Sequence, residues 1–308
     1  MQFNNREDII AITPLWKGER FPDGRPKVPD KYLDALYGMT LEEVWKPIFV
    51  LGYEHQFVGG GEAPLQTLHD DGRKLVGRAV TCTYAPTRPD LHEVQFHRGA
   101  EDGLKGNYNQ WVIDSLVERD VVVCDMYDKI YKGTFLGGNL TTAIRNRTKT
   151  GGAVIWGGIR DVEQMKKIPD VQVYYRGIDP TPIREFAMLS MNMPVRLGSN
   201  RDCATCLPGD IVYGCSGGVL FIPPHLVMDV VDGAAKTQVK DMFGFEMISQ
   251  NKMTTAQIDK NTWSEEMLDM LMEYIKVTPE AAPYRDLDWS KEYDLARNGD
   301  PNDTQSAL

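Results

Sequence analysis

The chain has 308 residues and carries 34 Lys and Arg against 44 Asp and Glu; a net charge of −10 argues against general nucleic-acid binding, which calls for a basic surface. With 42% hydrophobic and 25% charged residues the composition is that of an ordinary globular protein with ample length for a core. No apolar run approaches the ~20 residues needed to cross a bilayer, and the N-terminus MQFNNREDII lacks the basic and apolar regions of a signal peptide, so no membrane association is expected and a cytoplasmic location is the default.

Residues 1–74 are rich in turn formers. FPDGRPKVPD (Phe21–Asp30) reads as loop, followed by two short helices, DKYLDALYG and TLEEVWKPIF, the second opened by Thr40 and Glu43 as a capping box. The aromatic residues here, Trp16, Tyr32, Tyr37 and Trp45 among them, are too many for a disordered arm and imply packing on the main body or on another subunit. VGGGEAP (Val58–Pro64) lacks the Lys-Ser/Thr of a phosphate-binding P-loop and reads as a connection.

From Leu75 the pattern becomes regular. LVGRAVTCTY is a strand, NYNQWVIDSLV a helix, and DVVVCD (Asp120–Asp125) a short, continuously apolar buried strand. GGNLTTAIRNRTKT opens on glycines and reads as a helix; AVIWG is a second buried strand, DVEQMKKI a short helix and VQVYYRG a third strand. This β-α-β-α-β order predicts an α/β layer. MPVRLG, DIVYG and GVLFIPP then read as short strands, CATC (Cys203–Cys206) between them as a loop before Pro208. The lone C-x-x-C has no second pair for zinc, and five cysteines in a long chain do not form a disulfide framework. A long helical stretch from Pro224 to Asn251, a helix SEEMLDMLMEYIKV and a polar tail, RNGDPNDTQSAL, expected to be disordered, complete the chain.

The chemistry-bearing stretch is GGAVIWGGIRD, Gly151–Asp161. An Arg beside an Asp at a helix start is by itself an ion pair or an N-cap. Its context adds weight: LGGNL (Leu136–Leu140) opens the preceding helix, and its free amides form an anion-binding concavity. In a parallel α/β layer both connections lie at the strand C-terminal ends, so the amides of Gly137, Gly138, Asn139 and Leu140 face one pocket with Arg160 and Asp161. Arg160 suits a carboxylate, and Asp161 supplies one hard oxygen for a divalent cation of the Mg²⁺ type.

The run GGNLTTAIRNRTKTGGAVIWGGIRDVEQM, with VYYRG, MPVRLG and LPGDIVYGCSGGVLFIPP, resembles the family of RraA-like proteins and 4-hydroxy-4-methyl-2-oxoglutarate/4-carboxy-4-hydroxy-2-oxoadipate aldolases over roughly Leu75 to Asn251. The resemblance implies an α/β fold, an RraA-like α/β/β/α sandwich related to swivelling domains, with N- and C-terminal extensions: 1–74 packing on the core or a neighbouring subunit, 75–251 as the catalytic domain, and 252–308 as a helical extension and tail. It implies assembly as a homotrimer or homohexamer. It further implies Mg²⁺ or Mn²⁺ on Asp161, substrate carboxylate and oxo groups on Arg160, and the carboxylate held by amides around Leu136–Leu140. Asn139 stands where the family has a second acid, and Glu246 is the candidate for a carboxylate reaching the metal through water from a neighbouring subunit.

The implied reaction is metal-dependent cleavage of a carbon–carbon bond in a 4-hydroxy-2-oxo acid through a pyruvate enolate, with oxaloacetate decarboxylation as a side activity. Cys215 and Gly217 replace two further family aspartates after Pro208-Gly209-Asp210, which points to an altered substrate. TRPDLHEV falls where the family has a substrate-side loop, making Arg88 and His92 candidate substrate contacts. Two alternatives stand beside this reading: a metal-dependent dehydratase or isomerase on a sugar-acid-like compound, and a non-catalytic regulator that binds a protein partner.

Overall fold

A computed structural model describes residues 5–61, 64–199 and 203–299. The polar tail from Asp300 and part of VGGGEAP, Glu62 and Ala63, lie outside the described residues. By its internal contacts the chain divides into two units, 1–41 with 48–228, and 42–47 with 229–308. Within the first unit, two strands from the first 74 residues join the same sheet as the core.

The strands are β1 (Phe57–Val58), β2 (Gln66–Thr67), β3 (Leu75–Pro86), β4 (Asp120–Leu136), β5 (Ala153–Ile159), β6 (Val173–Ile178), β7 (Phe186–Met191), β8 (Val195–Gly198), β9 (Cys203–Cys206), β10 (Ile211–Cys215) and β11 (Gly218–Ile222). Among the described residues nine of them form one mixed sheet in the order β1-β11-β10-β3-β4-β5-β6-β2, with β7 paired to β3. The centre, β3 through β6, is parallel, and β10, β11, β1, β2 and β7 add to it antiparallel.

The first unit's helices are α1 (Arg6–Ile12), α2 (Asp30–Tyr37), α3 (Leu41–Val50, shared with the second unit), α4 (Pro89–Glu101), α5 (Tyr108–Asp114), α6 (Gly138–Thr148) and α7 (Val162–Met165). The continuous apolar runs have the physical meaning expected of a sheet covered on both faces. In β4, Val122 and Cys124 meet Trp111, Ile144 and Met165 of the helical layer, while Val121 and Val123 pack with Val195, Leu197, Ala204 and Cys206 of the β8–β9 ribbon. The layers therefore run helix, mixed sheet, β-ribbon.

CATC is thus a strand and not a loop: Ala204 and Cys206 alternate into the core opposite Leu197 and Val195 of β8. All five cysteines are free, and burial pushes the Cys206 thiol well above the usual range. The N-terminal segment is fixed to this unit from several directions. β1 and β2 occupy the two sheet edges, and the Arg25 guanidinium reaches Asp120 at the start of β4 with bonds of 2.8 and 3.0 Å.

The second unit contains most of α8 (Val227–Ser249), then α9 (Thr255–Ile258), α10 (Glu265–Val277) and α11 (Ser290–Asn298). It has its own core, in which Phe243 and Met247 of α8 pack with Trp263, Leu271, Ile275 and Trp289. No helix among the described residues is long and apolar enough to cross a membrane.

Candidate active site

The site arises where β4 and β5 end together. Their parallel pairing brings Leu136 opposite Ile159, and the Arg160 amide donates to the Leu136 carbonyl at 2.9 Å. The next residues of each strand, Gly137-Gly138 and Arg160-Asp161, are thereby set side by side at the strand C-terminal ends, the usual ligand crevice of a parallel layer.

β4 reaches this point irregularly. Between the pairs Asp125↔Trp156 and Leu136↔Ile159 it spends ten residues against two of β5, with left-handed backbone at Tyr127, Asp128 and Lys132. The Gly157-Gly158 pair lies inside β5. A Cβ on Gly157 would come within 2.5 Å of the Met126 Cβ, and one on Gly158 within 3.0 Å of the Ile130 carbonyl oxygen. The two glycines make room for the excursion of β4 and do not bend β5.

Asp161 occupies the N-cap position of α7 without capping it. Its backbone is left-handed, at φ 56° and ψ 32°, and its side chain makes no cap hydrogen bond. Such a conformation is costly for a residue with a side chain and recurs at functional sites. Instead the Oδ2 atom accepts from the Gly138 amide at 3.3 Å and lies 3.4 Å from Arg160 Nη1. Gly137 permits this approach, since a Cβ there would stand 2.5 Å from Asp161 Oδ2. The Arg160–Asp161 contact is thus present, long and partly exposed, and both groups remain accessible.

Beside this pair lies a cavity of about 610 Å³ whose wall includes Gly137, Asn139, Leu140 and Arg160. The amides at the start of α6 have no intrahelical acceptor. Gly138 donates to Asp161, and those of Asn139 and Leu140 have no acceptor among the described residues. Asn139 is exposed at the rim. Asp161 adjoins this wall through Gly138 and Arg160.

The remaining walls come from α4, α5 and the segment before β7. TRPDLHEV is not a loop: Pro89 opens α4, and this places His92 and Phe96 in the wall. Arg88 pairs with Asp90 at 2.9 Å on the surface and does not line the cavity. Tyr108 of α5 and the Pro182–Phe186 segment close the other side, with Arg184 and Glu185. Glu185 is tied to Lys132 at 2.6 Å, which lowers its pKa and raises that of the lysine. Arg160 and Arg184 thus leave the cavity with an excess of positive charge suited to an anion. The spacing of His92, Gln95 and Phe96 at i, i+3 and i+4 after a Pro was the available signal for α4.

Cys215 and Gly217 lie at the β10–β11 turn and do not line the cavity; the Tyr174 hydroxyl donates to the Cys215 carbonyl at 2.9 Å. Glu246 is on α8 in the second unit, where its Oε1 accepts from Gln250 at 3.0 Å. Among the described residues no group of three or more His, Cys, Asp or Glu side chains converges as a metal cage. A single carboxylate beside open amides excludes the ligand set of a structural zinc site. It fits a hard cation that takes one or two carboxylates and otherwise water and substrate oxygens.

Comparison with known proteins agrees with this architecture. The chain is 31% identical over 176 residues to Protein DlpA of Legionella pneumophila, covering 57% of this chain and 25% of that protein. It is 25% identical over 134 residues to a Halalkalibacterium halodurans protein named "Putative 4-hydroxy-4-methyl-2-oxoglutarate aldolase", covering 44% of this chain and 60% of that one. The chain thus spans about a quarter of one curated relative and 60% of the other.

Among solved structures, the fold resembles Streptomyces coelicolor RraAS2, described as an unusual member of the RNase ES inhibitor RraA protein family. The TM-score is 0.57 at 22% identity, over 71% of this chain and 97% of that one. A Pseudomonas syringae protein gives a TM-score of 0.59 at 19% identity, over 78% and 98% of the two chains. The RraA-like family model, described as Aldolase/RraA, matches residues 53–221, more than half of the chain and the whole β3–β6 core with both turns of the site. The chain belongs to the RraA-like family.

Proposed function

We propose that the protein is a divalent-metal-dependent lyase that cleaves a carbon–carbon bond in a 4-hydroxy-2-oxo acid. The observation that carries this reading is the state of Asp161, held left-handed, not capping its helix, and set between Arg160 and the Gly138 amide at the edge of a cationic cavity. A residue needed only to start α7 would turn its carboxylate onto the α7 amides.

In this reading Arg160 binds the carboxylate and 2-oxo group, and its fixed positive charge stabilises the enolate oxygen as negative charge develops there. The open amides of Asn139 and Leu140 orient the carboxylate. Asp161 holds Mg²⁺ or Mn²⁺, which when bound supplies Lewis-acid stabilisation of the same enolate. Asn139, neutral where a second acid would lower the local charge, favours substrate anions at the rim. Glu246 from a neighbouring copy in a trimer or hexamer is proposed to complete the site through water.

The test is pyruvate release from 4-hydroxy-4-methyl-2-oxoglutarate and from oxaloacetate, with Mg²⁺ and with EDTA, in wild type and Asp161→Ala. Metal-dependent release that Asp161→Ala abolishes is the expected result. Indistinguishable behaviour of the two proteins across a panel of 2-oxo acids, with no metal binding by either, would remove the proposal in favour of a regulator that binds a protein partner.

A further inference from the structure

A second part of the cavity wall contains a hydrogen-bond chain that the proposed chemistry has not used. It begins at the Met188 carbonyl of β7, which accepts from Gln95 Nε2 at 2.7 Å. A carbonyl can only accept, so the Gln95 amide is fixed with its nitrogen toward Met188 and its Oε1 toward Tyr108. The Tyr108 hydroxyl lies 3.0 Å from Gln95 Oε1 and 3.0 Å from His92 Nδ1. Gln95 Oε1 carries no hydrogen, so the single hydroxyl proton of Tyr108 points to Gln95. Burial pushes Tyr108 up to about 12, so this proton stays in place across the neutral range.

The Tyr108 oxygen can then only accept from the imidazole. His92 must carry its proton on Nδ1, which leaves the lone pair of the neutral ring on Nε2. Gln95 is buried, and a reversed chain would leave its oxygen or the Met188 carbonyl unpaired, a cost the observed order avoids. The ring is further held by Phe96 and Tyr108 at centroid distances of 4.6 and 5.7 Å. Its Nε2 makes no hydrogen bond among the described residues, and His92 lines the same cavity as Arg160.

We infer that His92 is the general base of this site, acting on the hydroxyl of a 4-hydroxy-2-oxo acid whose carboxylate end is held by Arg160, with Tyr108 and Gln95 as positioning residues. The inference rests on the lyase reading. Nε2 takes the proton from the 4-hydroxyl, the C4–O bond becomes a carbonyl, and the C3–C4 bond breaks. Its electron pair forms the enolate stabilised by Arg160. The imidazolium then returns the proton to C3, giving pyruvate and a second carbonyl compound with no oxidant or reductant required. An imidazole in this role supplies the proton transfer at a site where Asn139 cannot.

Two measurements on the full chain test this. The first is pyruvate release from 4-hydroxy-4-methyl-2-oxoglutarate and from oxaloacetate by His92→Asn, whose amide nitrogen keeps a donor near Nδ1 for Tyr108. Decarboxylation of oxaloacetate forms the enolate without deprotonating a hydroxyl. The expected result is therefore a split, with hydroxy-acid cleavage down by about 10²–10⁴-fold and decarboxylation down by less than about tenfold. Equal losses in both reactions, or no loss in either, would overturn the role.

The second is long-range ¹H–¹⁵N correlation NMR of the His92 ring, which needs no turnover. The neutral ring is expected with its proton on Nδ1, and Tyr108→Phe is expected to release that preference. A neutral ring protonated on Nε2 would overturn the inference. If wild type processes no 2-oxo acid of the panel and binds no metal, the lyase reading and the base role fall together, while the NMR result still decides the hydrogen-bond chain.

Discussion

The Asp161 carboxylate accepts from the Gly138 amide 3.3 Å away, and this one contact joins the turns after two neighbouring strands. It exists because residue 137 has no side chain: a Cβ there would meet Asp161 Oδ2 at 2.5 Å and the Arg160 Nε at 3.2 Å. Gly137→Ala should displace both groups without touching the core. Activity dependent on Asp161 is expected to fall by at least tenfold, and the unfolding midpoint to change little. A variant with wild-type turnover would show that the close approach is dispensable.

The parts of this arrangement legible in the sequence are those written locally. Runs such as VVVC (Val121–Cys124) and AVIWGGI carry no polar side chain that alternates outward, because the helical layer and the β8–β9 ribbon cover both faces of the sheet. The glycines that start α6 mark the second half of the site for a similarly local reason. What was not legible depends on distant partners. Nothing next to Gly157 and Gly158 in the sequence shows that the excursion of β4 lies against them. Cys203–Cys206 looks like a loop until β8 pairs with it. His92 is legible only as a candidate substrate contact, because the groups that fix its ring, Tyr108 and the Met188 carbonyl behind Gln95, come from a different helix and from a strand 96 residues away.

Metal binding should report on Asp161 directly. With no group of three or more His, Cys, Asp or Glu side chains converging among the described residues, Asp161→Asn is expected to weaken Mn²⁺ binding by at least about tenfold, read by titration calorimetry or by the relaxation of water protons. Asn139→Asp restores a carboxylate at the rim and is expected to tighten Mn²⁺. Unchanged affinity in both variants would place the cation elsewhere.

Arg25 and Asp120 form a buried bidentate pair, 1% and 0% exposed, linking the N-terminal segment to the first residue of β4. Burial works against both charges. At Arg25 the attraction and hydrogen bonds of Asp120 and Asp23 outweigh it and raise the pKa. Asp120 also accepts from the Val117 amide at 2.9 Å, which Asn can retain. Arg25→Met leaves a buried carboxylate uncompensated and is expected to cost about 3–5 kcal/mol in urea unfolding. Arg25→Met with Asp120→Asn should cost less than the sum of the single variants, by about 0.5–3 kcal/mol. Strict additivity would mean that the pair does not couple.

Asp210 makes a prediction in the opposite direction of pH from most carboxylates. Its side chain is fully buried, its Oδ2 accepts from the Leu207 amide at 2.8 Å, and its Oδ1 has no hydrogen-bond partner. Burial, only partly offset by that one bond, pushes the group up to about 8 from its ordinary value of 3.8. Between these limits the folded protein holds a proton that the unfolded chain releases. Stability from this group is therefore present at low pH and lost as pH rises toward 8. Asp210→Asn keeps an acceptor for the Leu207 amide and removes the titration. The difference in unfolding free energy, wild type minus variant, should fall by up to about 1.4 kcal/mol per pH unit between pH 5 and 7. Urea unfolding at several pH values in that range measures it. A difference that is flat, or that rises with pH, would mean that Asp210 is ionised in the folded protein and that its free oxygen is reached by a donor.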